Sequence, residues 1–264
     1  MSTRALTTAA SGMYAQQVNI EVISNNIANI NTTSFKKSRA EFQDLMYQEV
    51  AASPENQEAP GIVENSNSSL QVGNGVILTS TQKLFEQGDL QQTGNTLDTA
   101  IYGGGFYQVR RTDGTFAYTR DGALKISSDG SLVTSGGHVI EPGFNVGEDA
   151  TDITISPDGL VTVTEVGGDT VELGNIELAK FVNPGGLKAL GNNLYEETES
   201  SGAPILGTPG TNGFGEIQQG FLENSNVDIV EEMISMITAQ RAYEINSKTV
   251  KTVEEMMTMA NNLK

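Results

Sequence analysis

The sequence predicts an α+β protein, with long N- and C-terminal helices forming a coiled-coil-like domain and a central antiparallel β domain. Three observations predict it. Residues 1–53 contain one glycine, Gly12, and no proline, residues 224–264 contain neither, and the other 28 glycines and all seven prolines lie between. Both ends carry apolar residues at seven-residue spacing, and the middle carries Asp-Gly pairs at eight-residue spacing. Glycine and proline break helices and make turns, so their partition separates helical ends from a turn-rich centre.

At the N-terminus Leu6, Met13, Ile20 and Ile27 recur every seventh residue, beside a second stripe of Ala9, Gln16, Ile23 and Ile30. That is the seam of a helix packing lengthwise on another. Ile229, Met236, Tyr243, Val250 and Met257 repeat the spacing near the C-terminus, widened by Met233, Ile237, Val253 and Ala260. Asp228, Glu231 and Glu232 fit the start of that helix, because carboxylates there meet unpaired N–H groups and the positive dipole end. Helices of roughly 25–35 residues would run about 40–50 Å. They form either a hairpin within one monomer or helices ordered only on assembly. The small and polar seam residues Ala9, Gln16, Gln240 and Ser247, and the methionine-rich last helix, favour assembly.

Asp113-Gly114, Asp121-Gly122 and Asp129-Gly130, followed by Gly136-Gly137, bound short strands at Phe106–Arg111, Thr115–Thr119, Ala123–Ser127 and Ser131–Thr134. This reads as a meander of hairpins. Further strands are expected at Ile153–Ile155, Leu160–Thr164, Thr170–Leu173 and Ile176–Phe181, giving some eight to ten in all. The predicted organisation is therefore helices over 1–36 and 224–264, a connector or extended region over 37–80, and a β domain over 81–223. Residues 48–69 read as a flexible connector and about 200–223 as the return.

Fifteen basic against 33 acidic residues give a net charge of −18, which argues against nucleic acid or an anionic membrane surface as partner. The hydrophobic share of 37% is low for a self-contained globule and suits burial completed against other subunits. Without cysteine there is no disulfide, thiolate nucleophile or cysteine metal site. The N-terminus lacks the pattern of a cleaved signal, and no apolar run is long enough to insert in a membrane. The chain is expected to be cytosolic or to leave by a route without a cleaved signal.

No catalytic, metal or cofactor site is predicted. His138, the only histidine, has no second ligand type nearby and reads as satisfied or solvent-facing. Gly103-Gly104-Gly105 runs on into a strand rather than a helix, which favours close backbone packing over a phosphate cradle. The Asp-Gly turns lack the ligand pattern of a calcium loop.

The first helix ends in Ser24-Asn25-Asn26-Ile27-Ala28-Asn29, leading to Thr33-Ser34-Phe35-Lys36. Near the other end stand Ser225-Asn226-Val227-Asp228 and Gln240-Arg241-Ala242-Tyr243-Glu244-Ile245-Asn246-Ser247-Lys248. Both segments resemble the terminal signatures of the flagellar rod and hook proteins. Phe85-x-Gln87-Gly88, Leu97-Asp98-x-Ala100-Ile101 and Gly103-x-Gly105-Phe106 are shared with the same family. Tyr118-Thr119-Arg120-Asp121-Gly122, Asn183-Pro184-x-Gly186-Leu187 and Ser200-Ser201-Gly202-x-Pro204 look most like its distal rod members. Ser34 stands where the family usually has glycine, which puts a left-handed turn there in doubt.

The resemblance implies a structural subunit of the distal rod, polymerising helically into a hollow shaft that carries torque to the hook. Implied partners are further copies of itself, proximal rod proteins, hook protein, the periplasmic and outer-membrane ring proteins, and the flagellar type III export apparatus. It implies a rod spanning the periplasm, with export lacking a cleaved signal and terminal helices lining the inner tube. Phe42-x-x-x-Met46 resembles the family's hydrophobic export motif. Deleting 48–69, where distal rod members carry extra sequence, is expected to spare export and change polymer shape. A proximal rod or hook homologue is the alternative within the family, and a secreted acidic β-domain hydrolase the alternative outside it.

Overall fold

The computed structural model describes residues 2–50, 70–147 and 150–262. Helix α1 is Ser2–Ala28. Four strands follow: β1 Ser38–Asp44, β2 Gln48–Val50, β3 Leu70–Val72 and β4 Val76–Lys83. The next run is β5 Leu90–Gln92, β6 Thr99–Tyr102, β7 Phe106–Arg110, β8 Phe116–Thr119, β9 Leu124–Ile126, β10 Leu132–Thr134 and β11 Val139–Ile140. After it come β12 Ala150–Ile155, β13 Leu160–Glu165, β14 Thr170–Asn175, β15 Leu178–Lys180, β16 Lys188–Gly191, β17 Leu194–Glu196, β18 Ile205–Gly207, β19 Glu216–Gln219 and β20 Phe221–Glu223. Helix α2, Ile229–Asn262, closes the chain. The architecture is α+β, with helices at the ends and antiparallel strands between.

The chain divides into two compact units. The first comprises Met1–Asn25, Arg39–Thr81 and Val230–Lys264. Its helices run 27 and 34 residues, about 40 and 51 Å at 1.5 Å per residue. Helix α2 begins directly after Asp228 with Glu231 and Glu232 in its first turn, as expected for a helix start. Ala9, Ala15 and Ile23 of α1 and Ala239 and Val253 of α2 are buried. The two helices come together at Gly12, where an added Cβ would lie 2.9 Å from the Asn246 amide nitrogen. The single early glycine is a close-approach site. Within the region read as connector or extended, residues 39–50 and 70–81 hold extended strands. They form antiparallel ribbons, β1 with β4 and β2 with β3, and the Val76 amide donates to Ser11 Oγ on α1 at 3.3 Å. Alternation is weak in these strands, so pairing rather than pattern defines them. Residues 51–69 of the expected connector lie outside the described residues.

The second unit comprises Asn26–Ser38 and Gln82–Ile229. Its nine-stranded sheet runs β16-β17-β8-β7-β11-β10-β9, with β15 also pairing β7 and β18 pairing β15. Strand β7 is buried on both faces. Tyr107 and Val109 point into a core with Ile101, Leu124, Leu132, Ile140, Val161 and Leu178. Phe106 points into a second cluster with Tyr118, Phe181 and Tyr195. Rings in that cluster meet edge to face, as aromatic quadrupoles prefer, with Tyr118–Phe181 centroids 4.8 Å apart. A separate sheet, β12-β13-β14, sets Ile153 opposite Val163 and Ile155 opposite Val161, all inward, as strict alternation requires.

The predicted meander needs one correction. Asp113-Gly114, Asp129-Gly130 and Gly136-Gly137 join neighbouring strands, but β8 and β9 on either side of Asp121-Gly122 are not paired. An added Cβ at Gly122 would lie 1.7 Å from the Thr99 carbonyl oxygen. This glycine serves a backbone crossing rather than a hairpin, and the Thr99 amide donates to its carbonyl at 2.9 Å. The expected return connector over 200–223 is also structured, holding β18, β19 and β20. Those strands have three or four residues each, too few for periodicity, and pair with partners distant in sequence. The strands between 81 and 223 accordingly outnumber the eight to ten expected.

Candidate functional site

The end of α1 does not fray. Asn26 is buried, and its side-chain amide donates to the Ser38 carbonyl at 2.9 Å while its oxygen accepts from the Ser38 amide at 2.9 Å. One asparagine thus clasps both backbone groups of a residue twelve positions on, where a carboxylate would lack the donor and a leucine both partners. Within the clasp the chain turns through Asn29→Asn26, Ile30→Ile27 and Thr32→Asn29 amide-to-carbonyl bonds. Ser34 adopts φ +56°, so the left-handed turn survives without glycine. Its Oγ donates to the Arg120 carbonyl at 2.9 Å and its amide to the Glu223 carbonyl at 2.7 Å, bonds that hold the strained residue in place.

Beyond the turn lies a buried ion cluster. Lys36 Nζ is 2.6 Å from Glu223 Oε1, and Arg120 Nε is 2.9 Å from Glu223 Oε2. Backbone carbonyls take further donors of both cations. Lys36 donates to the Glu86 carbonyl at 2.7 Å, and Arg120 donates to the Gly103 carbonyl at 2.9 Å and the Gly105 carbonyl at 3.2 Å. The Gly88 amide adds a third donor to Glu223, at 3.0 Å. Two cations therefore share one carboxylate out of reach of water. Burial pushes the Lys36 ammonium below its ordinary pKa, only partly offset by Glu223, with Arg120 repulsion adding to the drop. For Glu223 burial pushes upward, but Arg120 and Lys36 outweigh it and hold the carboxyl below its usual range.

Asn226 ties the remaining strand in. Its oxygen accepts from the Lys37 amide at 2.7 Å, and its amide donates to the carbonyls of Leu84 and Glu86 at 2.9 and 3.1 Å. Asn193 donates to the Thr33 carbonyl at 2.9 Å. Lys83 lies 4.7 Å over the buried Phe35 ring. Segments 33–38, 83–88 and 223–227 are thus zipped into one junction inside the β unit. Nothing in this arrangement presents a nucleophile or a general base to solvent. It is a structural lock.

The other residues singled out in the sequence distribute as follows. Ser24, Asn25 and Ala28 are exposed near the end of α1, and Asn29 is half-buried. Ser225 is half-buried beside the junction. Leu6, Met13, Ile20, Ile27, Met236, Val250 and Met257 are half-buried, whereas Ile229 and Tyr243 are exposed. On α2 the buried line runs through Ala239, the half-buried Asn246 and Val253, seven apart, one step round from the predicted series. Gln240, Arg241 and Lys248 face solvent. Phe42 and Met46 are exposed, as is His138's neighbour Gly137, while His138 itself is half-buried.

Opposite the buried line, α2 exposes a second apolar stripe. Val230, Ile234, Ile237, Ile245, Met256 and Met259 are each more than half exposed. At 100° per residue Ile234, Ile237, Ile245 and Met259 fall on the side of the helix away from the line of Ala239 and Val253, while Met256, three residues after Val253, lies beside that line. Among the described residues those four side chains lie open to solvent.

The comparisons with known proteins agree along the whole length. Residues 6–36 match the family described as flagella basal body rod protein, and residues 218–263 the flagellar basal body rod FlgEFG protein C-terminal family. Residues 100–163 match the flagellar hook protein FlgE/F/G D1 domain. The flagellar basal-body rod protein FlgG of Borreliella burgdorferi is 50% identical, over 99% of this chain and 98% of the relative. Its namesakes in Agrobacterium fabrum and Bacillus subtilis are 46% and 39% identical, each over 99% of this chain and 99% or more of their own. The chain belongs to the flagellar basal-body rod family. In rod-family terms, the matched N- and C-terminal segments contain Asn26, Lys36, Glu223 and Asn226, so the junction is where the two terminal signatures meet. Sequence reasoning singled out Lys36 and Asn226 but missed Arg120 and Glu223 as their partners.

Proposed function

We propose that the protein is a structural subunit of the flagellar basal-body rod, in its distal part, polymerising helically into a hollow shaft that transmits torque to the hook. The observation that carries this reading is the outward stripe Ile234, Ile237, Ile245 and Met259. Open to solvent among the described residues, it fits burial against the helices of further copies, completing coiled-coil-like packing around an inner tube. The seam positions Leu6, Met13, Ile20 and Ile27, half-buried in one chain, gain further burial there. The work is structural rather than enzymatic. The other partners on this reading are proximal rod proteins, hook protein, the ring proteins of periplasm and outer membrane, and the type III export apparatus, with the exposed Phe42 and Met46 as the export motif. The rod would span the periplasm.

The test compares full-length protein with Ile237→Glu/Ile245→Glu by electron microscopy. Point variants are preferred to trimming residues 1–36, which would remove Lys36 and break the junction. Tubes from the parent chain, and none from a variant with unchanged near-UV circular dichroism, are expected. Tubes of the same form from both would refute the reading.

A further inference from the structure

The β unit carries nine Lys and Arg against 21 Asp and Glu, a balance of −12. The charge is unevenly placed. Residues 99–109 and 200–215 contain no charged side chain, and the fold brings these stretches side by side. The Gly215 amide donates to the Gly104 carbonyl at 2.8 Å, and Tyr102 on β6 pairs with Glu216 at the start of β19. The Phe214 ring lies so close to Gly207 that an added Cβ would fall 2.5 Å from it. Gly207 ends β18, which pairs with β15 on one side and, among the described residues, with no strand on the other.

The side chains around this free edge are apolar and open. Ile205 is 55% exposed, Leu206 45% and Val182 84%. One cation borders them: Lys180, opposite Ile205 in the β15–β18 pair, which donates to the Gly213 carbonyl at 3.1 Å. A short edge strand flanked by Pro204 and Pro209 is protected against indiscriminate pairing, yet its apolar side chains remain uncovered.

Two copies of a unit this acidic repel across most of their surfaces, and like-charge juxtaposition costs several kcal/mol in an interface. Contact between copies therefore selects the neutral face. We infer that the edge formed by Val182, Ile205 and Leu206 is a lateral contact between β units, seated on an acidic face of a second copy of this chain. Lys180 sets the pairing head to tail rather than edge to edge, because two such edges would oppose cation to cation. A heterologous contact that does not close propagates, which is what a helical polymer needs. The inference rests on the polymer reading and adds to it a contact outside the helices.

The chain has no cysteine, so Leu206→Cys introduces a single thiol, and Ser128→Cys, on an exposed turn, provides a reference. Maleimide labelling is followed in monomers and in sedimented tubes. Leu206→Cys is expected to label readily in the monomer and at least about tenfold more slowly in tubes. Leu206→Glu is expected to abolish or shorten tubes while leaving the monomer's near-UV circular dichroism unchanged. Labelling of Leu206→Cys in tubes at the monomer rate, or tubes of parental form from Leu206→Glu, overturns the inference while leaving the rod reading intact. Absence of tubes from the parent chain overturns both.

Discussion

Replacing Glu223 with glutamine tests the junction directly. One carboxylate faces Lys36 at 2.6 Å and Arg120 at 2.9 Å and accepts from the Gly88 amide at 3.0 Å, with all three charged side chains almost wholly buried. Glutamine keeps the size and one oxygen but presents an NH2 to one of the cations and removes the only negative charge. Breaking a buried pair by removing one partner costs about 3–5 kcal/mol. The retained oxygen puts Glu223→Gln near the lower end, about 3 kcal/mol, which is roughly a hundredfold in the folding equilibrium. Urea unfolding followed by tyrosine near-UV circular dichroism reads this well, since there is no tryptophan and Tyr107, Tyr118 and Tyr195 are buried in the same unit. With a slope of about 2–3 kcal/mol/M the midpoint should fall by about 1 M. Adding Lys36→Met removes one of the two stranded cations, so the double variant should be less destabilised than the sum of the singles by about 1–3 kcal/mol. A loss under about 1 kcal/mol for Glu223→Gln, with simple additivity to Lys36→Met, would sink the argument that the cluster holds the segments together.

The same variant has a pH signature. The Glu223 pKa is lowered in the folded state, with the pull of Arg120 and Lys36 outweighing burial. Its contribution is therefore fully present above the unfolded value of about 4.3 and lost as pH falls through the folded value. The stability gap between the parent and Glu223→Gln should narrow in that acid range. A gap that stays constant to low pH would mean that the carboxylate charge is not what matters.

Three further outcomes are expected. Ser34→Ala keeps the left-handed strain and loses the bond to the Arg120 carbonyl, costing about 1–2 kcal/mol in urea unfolding, while Ser34→Gly trades that bond for strain relief and stays within about 1 kcal/mol of the parent. Gly12→Ala should be tolerated, since a modest shift of the Asn246 side chain frees the space and alanine favours helix, whereas Gly12→Leu should lower the helical melting signal at 222 nm by overpacking worth about 1–3 kcal/mol. Burial pushes the phenols of Tyr118 and Tyr195 up to about 12, so the stability they contribute is present below the unfolded pKa of about 10 and fades as pH rises from there to about 12. Absorbance at 295 nm should show that late ionisation and lose part of it in Tyr118→Phe and in Tyr195→Phe.

What was legible in the sequence follows the range of the interaction that decides it. The helices and the β10–β11 and β12–β14 hairpins rest on local signals, periodicity and Asp-Gly or Gly-Gly turns, and could be read directly. Asp121-Gly122 carried the same local signal with a different meaning, because Thr99, more than twenty residues upstream, presses its carbonyl onto that glycine. Strands β18, β19 and β20 exist only through partners far off in the chain, and no window around residues 200–223 contains them. The asparagines at the end of α1 stood out in sequence as poor helix formers, but only the fold supplies Ser38 as the partner of Asn26. Glu223 was unreadable for the same reason: its partners are 187 and 103 residues away.

The residues of the terminal signatures thus separate into two physical tasks. Gln240, Arg241 and Lys248 are exposed on α2, with Arg241 paired to Glu244 at 2.9 Å. Asn26, Phe35, Lys36 and Asn226 belong to the β unit and are bound within it. The chain passes between its two compact units after residues 25, 38, 81 and 229, and the segments 26–38, 82–88 and 223–229 beside those crossings are the ones that the asparagine clasps and the ion cluster fasten together. Any force carried along the covalent chain from the helices enters the β unit through these segments. A hydrophobic contact there could slide, whereas two cations held by one carboxylate, with backbone carbonyls on further donors, are fixed by directional bonds. In a structural subunit of the rod, those bonds fix the geometry of the segments beside each crossing within the β unit.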